Sequence, residues 1–289
     1  MLETIIARKR IEVAEARTRT KLDVIKAKID ELGRPRNFFR AVVRDRMPEA
    51  FRIIAEIKRK SPSAGVIRED FDPVDIAKRY HQAGAAAISC LTDFKHFGGD
   101  LGFIHQIRDA VPLPVLRKDF IIDEYQIWES RAAGADAILL IAEVLAEAEI
   151  IDFQILATEL GMTTLIEVHS IENLYRVINH IGFPHAGYSL LGINNRNLGT
   201  MKTDLSHTFR VLDLVEERRV VVSESGIRTG EDLLRLHEGE VNIALIGEHF
   251  MRQPDPGEAL QSMLHAYDEL KHARPPRRGD GVDGEPPSP

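Results

Sequence analysis

The fold is decided by the stretch DAILLIAEVLAEAEIIDFQILATELGMTTLIEVH, residues 136–169. Its two ends, DAILLIA at 136–142 and TTLIEVH at 163–169, are short apolar runs of the kind that form strands covered on both faces. The segment between them is long enough for a crossover helix and its loops, which two neighbouring parallel strands require. The stretch therefore predicts a β-α-β unit within a parallel sheet.

The same unit recurs along most of the chain. Eight apolar, β-branched runs follow one another: IIAEIKR (53–59), AAAISCLTD (85–93), LPVLRKDF (113–120), DAILLIA (136–142), TTLIEVH (163–169), YSLLGIN (188–194), VVVSESG (220–226) and NIALIGE (242–248). Between them lie amphipathic stretches with helical periodicity, several of which end in glycine. Eight units favour a closed barrel over an open doubly wound sheet, so we predict an α/β fold, the (β/α)8 TIM barrel.

The ends of the chain differ from this repeating part. Residues 1–45 mix charged and apolar residues at helical spacing and predict a helical extension packed on the barrel. The catalytic barrel is expected to span 46–272, and the tail at 273–289, rich in Pro, Gly and charge, is expected to be disordered. GFPHAGY at 182–188 looks inserted before the sixth strand, and we expect a loop that enlarges the approach to that strand.

Composition and charge exclude several classes of protein. The net charge is −7 and the pI is about 5.9, whereas nucleic-acid binding requires positive charge. Cys90 is the one cysteine, which excludes an intrachain disulfide and a thiolate metal cluster and leaves core packing as its expected role. The charged N-terminus lacks a secretory signal, and no apolar run approaches the roughly 20 residues needed to cross a membrane. We expect a soluble cytoplasmic monomer with no nucleic-acid, membrane or obligate protein partner.

Function in such a barrel gathers where the strands end, so polar residues there are candidates. Glu56 and Lys58 share one face of the first strand, where they either take part in chemistry or form an ion pair of the barrel core. Lys118 ends the third strand between apolar neighbours, which predicts a pKa lowered towards neutrality and suits a general acid. Glu167 ends the fifth strand in apolar surroundings, which predict a raised pKa and suit an acid or base.

The last three strands end in groups that suit an anion. Asn194 and Arg196 alternate onto one face after the sixth strand, and a guanidinium can hold a phosphate or carboxylate with two hydrogen bonds. Ser225-Gly226 follows the seventh strand and Gly247 follows the eighth. Glycines at these two places let backbone N–H groups approach a phosphate, as in many barrels.

Two further polar segments follow the first and fifth strands. Ser61-Pro62-Ser63 after the first strand is either a simple turn or a ligand contact. His169, two residues beyond Glu167, is interpreted as a hydrogen-bonded structural residue outside the catalytic set. No His, Asp and Glu set has a metal-ligand spacing and no GxGxxG motif occurs, so we expect no metal and no organic cofactor.

An ordered set of segments points to one family: IIAEIKRKSPSAG, SCLTDFKHFGG, VLRKDFI, GADAILLI, LIEVH, LLGINNRNL, VVSESGI and ALIGEHFMR. Together they resemble the indole-3-glycerol-phosphate synthases. The resemblance runs from about residue 2 to 262 and includes ARKRIEVAEAR, which is similar to the family's N-terminal extension. AEIKRKSPS, RKDF and GINNRNL are highly specific as an ordered set.

The resemblance implies roles in catalysis. Lys118 would be the general acid that activates the substrate's ketone for ring closure. Glu167 would be the general base of the dehydration that completes the indole. Glu56 and Asn194 would orient these groups and the hydroxyls of the substrate. Lys58 would face the substrate's carboxylate and take part in proton transfer.

The resemblance also implies residues that bind the substrate. Ser225 would contact it near the reacting centre. The phosphate would lie against Ser61, Arg196, Gly226, Gly247 and the backbone N–H of Glu248. The apolar slot for the aromatic ring would consist of Phe97, Phe120 and Leu198. The N-terminal helices would lie near the top of the barrel and help cover the site.

Some positions depart from the family's pattern. His249 stands where a small hydroxyl residue is usual, and Asp100 follows Gly98-Gly99 where serine is common. With the insertion at 182–188, we expect these to affect substrate affinity more than the reaction. Because a carboxylate repels a phosphate, we expect the side chain of Glu248 to point away from it.

The reaction implied is ring closure, decarboxylation and dehydration of 1-(2-carboxyphenylamino)-1-deoxy-D-ribulose 5-phosphate. Its products are indole-3-glycerol phosphate, CO2 and water, in tryptophan biosynthesis. One alternative is another phosphate-binding barrel, such as a phosphoribosyl isomerase or the tryptophan synthase α chain, although Lys118 with Glu167 fits a synthase better. The other is a barrel that has lost catalysis and serves as a binding subunit.

Overall fold

Eight parallel strands form a closed barrel in chain order, and the eighth strand pairs with the first. This computed structural model describes residues 2–43, 50–197 and 200–273. The barrel strands are β1 Arg52–Ile57, β2 Ala87–Leu91, β3 Val115–Lys118, β4 Ala137–Ile141, β5 Thr163–Val168, β6 Ser189–Asn194, β7 Val221–Glu224 and β8 Ile243–Ile246. Each overlaps one of the eight apolar runs of the sequence, so the predicted (β/α)8 barrel is confirmed.

Helices precede the barrel and alternate with its strands. They are α1 Leu2–Arg19, α2 Leu22–Asp30, α3 Phe38–Val42, α4 Pro73–Gln82, α5 Phe94–Phe97, α6 Gly102–Ala110, α7 Glu124–Ala132, α8 Glu147–Glu159, α9 Ile171–Val177, α10 Ser206–Leu212, α11 Gly230–Glu238, α12 Glu248–Met251 and α13 Pro256–Ala273. Asp72, Asp123, Ser170 and Thr229 each accept a hydrogen bond from a backbone N–H of the first turn that follows them. Such N-caps determine where α4, α7, α9 and α11 begin.

Alternate residues of each strand enter two separate apolar cores, as the period of two requires. Ile54 and Leu116 point into the barrel and pack with other inward residues. Ile53 and Ile57 point outwards and pack against the surrounding helices. The position after Ile54 on the inner face is Glu56, so the same alternation carries polar side chains into the interior at the carboxyl ends of the strands.

The N-terminal extension is divided between the two ends of the barrel. Phe38 and Val42 of α3 are fully buried in the inner core, next to residues that begin their strands, such as Ala87 and Ile243. This helix therefore closes the amino-terminal end of the barrel. The expectation that the N-terminal helices lie near the top holds for the start of α1, described below, and is wrong for α3.

The insertion at 182–188 lies at the amino-terminal end of β6. It contains a cis peptide bond before Pro184 and a single 3-10 turn at Ala186–Tyr188 that contacts α3. A segment that precedes a strand lies at the end opposite the carboxyl termini. The expectation that it enlarges the approach to the sixth strand at the rim of the cavity is therefore wrong, and none of its residues lines the cavity.

Several expectations concern the remaining segments. Ser61-Pro62-Ser63 forms the bend of a short antiparallel ribbon, in which Lys60–Ser61 pairs with Gly65–Val66. Helix α13 ends at Ala273, and the expected disordered tail beyond it lies outside the described residues. The expected boundary between extension and barrel also falls in a segment, 44–49, that is not described. Across the described ranges no helix is long and apolar enough to span a membrane.

Candidate active site

A cavity of about 560 Å³ opens at the carboxyl ends of the strands. Each of the eight strands or the loop that follows it contributes to its wall, and Leu2 and Ile5 of α1 complete the rim. The predicted site residues that line it are Glu56, Lys58, Ser61, Phe97, Lys118, Phe120, Glu167, Asn194, Arg196, Ser225, Gly226, Gly247 and Glu248. Leu198, the remaining predicted residue, lies outside the described part of the chain.

The centre of the cavity is an ion-pair cluster built from three strands. The Nζ of Lys118 lies 3.0 Å from Oε2 of Glu167 and 2.9 Å from Oε2 of Glu224. The side chain of Lys118 is 12% exposed, and both carboxylates are more deeply buried. A lysine and a glutamate distant in the sequence thus converge over one pocket.

The charge states in this cluster differ from those that the sequence predicts. Burial lowers the pKa of Lys118, but the charges of Glu167, Glu224 and Glu56 outweigh it, so the net shift is upwards. Burial raises the pKa of Glu167, but Lys118 and His169 outweigh it and the net shift is downwards. Both predicted directions are wrong, because the sequence suggested the apolar neighbours and not the opposite charges across the barrel.

Glu224 is a further carboxylate of this cluster and is not among the residues predicted from the sequence. Burial raises its pKa, Lys118 opposes this and the negative charge of Glu167 adds to it, which leaves the pKa above its ordinary range. Of two carboxylates that share one lysine, Glu167 keeps the charge and Glu224 holds a proton more readily. The signal was present in VVVSESG, because Glu224 follows Val222 on the inward face by the alternation used for Glu167.

Glu56 and Lys58 form an ion pair with each other at the end of β1. Both side chains also line the cavity, so the pair is available to a ligand as well as to the core. An alanine at position 247 would put its Cβ 2.8 Å from the Cβ of Glu56. Glycine at this position lets the end of β8 come close to the Glu56 side chain.

The rim after β6 and β8 carries two arginines, Arg196 and Arg252. The guanidinium of Arg196 donates to Oγ of Ser63 at 3.0 Å and pairs with Oε2 of Glu248 at 3.0 Å. Arg252 pairs with the other oxygen of Glu248 at 3.0 Å. Burial raises the pKa of Glu248, but the two arginines outweigh it and the net shift is downwards. Its charge is therefore compensated by ion pairs at the cavity wall, whereas the sequence suggested only that it points away.

The backbone after β7 turns sharply beside Arg196. Ser225 and Gly226 both have positive φ, 69° and 80°. The amide of Asn195 donates to the carbonyl oxygens of Glu224 and Ser225, each at 3.0 Å, and holds this turn in place. A Cβ at position 226 would lie 2.5 Å from Cγ2 of Thr203, so glycine is required there.

Two phenyl rings form one wall of the cavity. The centroids of Phe97 and Phe120 are 6.2 Å apart with an angle of 41° between the planes. Asp93 caps the helix that carries Phe97, and Asp119 accepts from the backbone N–H of Phe120 at 2.8 Å. Lys9 of α1 pairs with both aspartates at 2.9 Å, a contact that sequence reasoning missed because it joins distant parts of the chain.

The two single-residue departures from the family pattern have different positions. His249 lines the cavity, and burial together with the charge of Arg228 lowers its pKa. Asp100 is not part of the lining; its carboxylate accepts from the N–H of Gly102 at the start of α6. Over the described residues, no cluster of three or more His, Cys, Asp or Glu side chains could hold a metal ion.

Comparisons with known proteins agree on one family. The model of the family described as indole-3-glycerol phosphate synthase matches residues 2–263. Proteins of that name from Acidithiobacillus ferrooxidans and Albidiferax ferrireducens are 46% and 45% identical over 265 and 264 residues, 91% of this chain and 98% of each relative. Another from Rhodopirellula baltica is 51% identical over 213 residues, 74% of this chain and 80% of the relative.

Solved structures support the fold. A 3-hexulose-6-phosphate synthase from Salmonella typhimurium superposes with a TM-score of 0.59 at 14% identity, over 76% of this chain and 99% of that one. A thiamine phosphate pyrophosphorylase from Pyrococcus furiosus gives 0.53 at 13% identity, over 78% and 98%. Family membership rests on the family model and on the sequence relatives: the chain belongs to the indole-3-glycerol phosphate synthase family.

Proposed function

We propose that the protein converts 1-(2-carboxyphenylamino)-1-deoxy-D-ribulose 5-phosphate to indole-3-glycerol phosphate, CO2 and water. The observation that carries the proposal is the ammonium group of Lys118 held between Glu167 and Glu224 in the cavity. A charged lysine beside an ionised carboxylate supplies an acid and a base on the two sides of one reacting group. Membership of a carboxy-lyase family supports the same reaction.

Binding folds the flexible sugar of the substrate. The phosphate lies against the backbone at Gly226 and Gly247, with Arg196 and Ser61 beside it. Both glycines line the cavity directly after β7 and β8, where backbone N–H groups can bind a phosphate, and this supports the placement. The aromatic ring lies along Phe97 and Phe120, which line the cavity. The carboxylate on the substrate's aromatic ring faces Lys58.

Ring closure depends on this positioning. The ring carbon that bears the carboxylate is brought against the ketone carbon, and such alignment supplies on the order of 7–11 kcal/mol. Lys118 donates its proton to the ketone oxygen as the C–C bond forms, which is consistent with a pKa raised well above neutrality because the amine enters the step charged. Loss of CO2 then begins to restore the aromatic ring.

Dehydration completes the indole. Glu167 removes a proton from the carbon next to the former ketone carbon, the C=C bond forms, and the hydroxyl takes up a proton and leaves as water. The lowered pKa of Glu167, which keeps its carboxylate ionised, is consistent with this role. Glu56 and Asn194 orient the substrate's hydroxyls and the reacting groups, and Ser225 contacts the substrate near the reacting carbon.

We also propose that the enzyme acts in the cytoplasm. It acts as a monomer, since one chain supplies all eight strands of the cavity wall.

The proposal is tested by assaying the purified chain alone with the carboxyphenylamino substrate. Appearance of indole absorbance and fluorescence, with one CO2 released per product, is the expected result. Turnover of a phosphoribosyl isomerase substrate in place of this one would favour another phosphate-binding barrel. Tight binding of the substrate without turnover would indicate a barrel that has lost catalysis.

A further inference from the structure

His169 lies between two carboxylates at the end of β5. Its Nε2 is 3.3 Å from Oε1 of Glu167, and its Nδ1 is 3.0 Å from Oε2 of Glu143. The ring is 7% exposed and forms part of the cavity wall. The two oxygens of Glu167 therefore have different partners, since Oε2 contacts Lys118 and Oε1 contacts His169.

Glu143 is itself held rigidly. Its Oε1 accepts from the backbone N–H of His169 at 2.8 Å and from Nδ2 of Asn173 at 3.0 Å. Arg176 donates to Oδ1 of Asn173 at 2.7 Å and to the carbonyl oxygens of Ala142 and Leu145. The loop after β4 and the helix after β5 are thus joined through one carboxylate, which leaves the imidazole little freedom to rotate.

The charges around the imidazole come from four elements. Glu143 follows β4, Glu167 lies on β5, Glu224 ends β7 and His207 lies on α10. Burial lowers the pKa of His169, but the hydrogen bond to Glu143 and the charges of Glu167 and Glu143 outweigh it, so the net shift is upwards. Burial lowers the pKa of His207, so that ring adds little positive charge. The surroundings favour the imidazolium form of His169.

We propose that His169, held by Glu143, is a positioning residue whose positive charge, next to Oε1 of Glu167, fixes the Glu167 carboxylate as a base. The proposal rests on the base role of Glu167 given above. It assigns a function to a histidine that a strand-end pattern alone suggests is structural. It also explains why an ionised carboxylate can remain in a site where Glu224 lies beside the same lysine.

The test compares the pH dependence of kcat in variants that remove one contact at a time. His169→Gln keeps an amide near Glu167 but removes the charge, and His169→Asn keeps the contact with Glu143 but loses the one with Glu167. Glu143→Gln removes the charge that favours the imidazolium. His265→Gln, an exposed histidine that pairs with Glu269 on α13, is the matched control.

In the wild type the positive charge lowers the pKa of Glu167, so its removal raises that pKa. We expect the acid limb of the kcat profile to move to higher pH by about one unit in His169→Gln and in Glu143→Gln. In His169→Asn, kcat falls on the order of tenfold with little change in KM, because the base is less well aligned. His265→Gln keeps the wild-type profile. The double variant Glu143→Gln/His169→Gln shifts no further than either single variant, since both act through one imidazolium.

An unshifted acid limb in folded His169→Gln and Glu143→Gln would overturn this proposal, even with an active wild-type enzyme. A wild type that makes no indole product would instead contradict the proposed function. If the variants do not fold, nuclear magnetic resonance of the His169 ring in the folded wild type and in Glu167→Gln replaces them. Reciprocal coupling predicts a lower His169 pKa in Glu167→Gln, and an equal value in both proteins would reject the contact.

Discussion

The charge of one lysine depends on residues from two other strands. Lys118 is buried among apolar side chains on its own strand, which by itself would favour the neutral amine. Glu167 and Glu224 reverse that preference from across the barrel. A buried ion pair is stable only while both partners are in place, because removal of one leaves the charge of the other buried and uncompensated.

Lys118→Ala should lower kcat by at least about 10²-fold, because it removes the acid that the ring closure requires. The measurement is the initial rate of indole fluorescence at saturating substrate. Lys78→Ala, an exposed lysine on α4, serves as the control and should keep the wild-type rate. Near-normal turnover by a folded Lys118→Ala protein would remove Lys118 from the role of acid.

Arg196→Ala should act mainly on binding, since its guanidinium lies at the rim beside Ser63 and Glu248. Loss of a charged hydrogen bond to phosphate is expected to raise KM roughly tenfold or more while kcat changes little. Arg210→Ala is the matched control, because Arg210 lies on α10 and forms an exposed ion pair with Asp204. An unchanged KM with a collapsed kcat would contradict a role in holding the phosphate.

At the scale of elements, α1 is joined to the barrel by a buried ion-pair network. Lys9 contacts Asp93 and Asp119, and Asp119 also accepts from Thr92 at 2.6 Å and Arg117 at 3.1 Å. Asp93 caps the first turn of α5, which carries Phe97, and Asp119 directly precedes Phe120. Helix α1 is therefore attached to the two segments that carry the phenyl rings of the cavity. The start of the same helix forms part of the cavity rim.

Burial raises the pKa of Asp119, but Arg117 and Lys9 outweigh it and lower the pKa to about 2. Because the folded pKa lies below the ordinary 3.8, the carboxylate stabilises the fold above that value and loses this effect as the pH falls towards 2. The difference corresponds to about 2 kcal/mol. We expect Lys9→Met to cost about 3–5 kcal/mol at neutral pH and to weaken this acid dependence.

Urea unfolding at a series of pH values measures both effects. Arg8→Met is the matched control, since Arg8 lies next to Lys9 on α1 but forms a more exposed pair with Glu12. Its removal should change the free energy of unfolding by about 0.5 kcal/mol or less. Equal unfolding curves for the Lys9 and Arg8 variants would show that the buried network does not stabilise the helix.

At the scale of the whole molecule, the two ends of the barrel have different tasks. The carboxyl ends of the strands carry the cavity, while α3 closes the amino ends with apolar side chains. The predicted site residues lie at the first end and the buried apolar side chains of α3 fill the second, as expected where loops carry function and the opposite face carries stability. Changes at the closed end should therefore alter stability without altering catalysis.

Phe38→Ala tests this division, because the ring is fully buried beneath the inner core. A cavity of that size should lower the free energy of unfolding by about 3–5 kcal/mol. Thermal unfolding measures the loss, and kcat and KM at a temperature where the variant is folded should match the wild type. Tyr175→Ala, a largely exposed aromatic residue on α9, is the control. A large fall in kcat for folded Phe38→Ala would show that the two ends are coupled.

Much of this architecture can be predicted from short stretches of the chain. Period-two runs determine the strands, amphipathic segments determine the helices between them, and the polar residue that ends each strand can be identified from its position alone. Glu167 and Asn194 follow from this pattern because a closed parallel barrel brings all strand ends to one rim. The same pattern also indicates Glu224, which lies on the inward face with Val222.

The charge states of the cavity residues and the attachment of α1 to the barrel depend on the tertiary structure. The directions of the pKa shifts at Lys118 and Glu167, the ion pairs of Lys9 and the place of His169 between two carboxylates come from side chains that are distant in sequence. Coulomb energy depends on distance in space and on burial, and neither is known before the barrel closes. The sequence alone thus determined the barrel and which residues meet at its rim, and only the folded chain decided which of them carry charge.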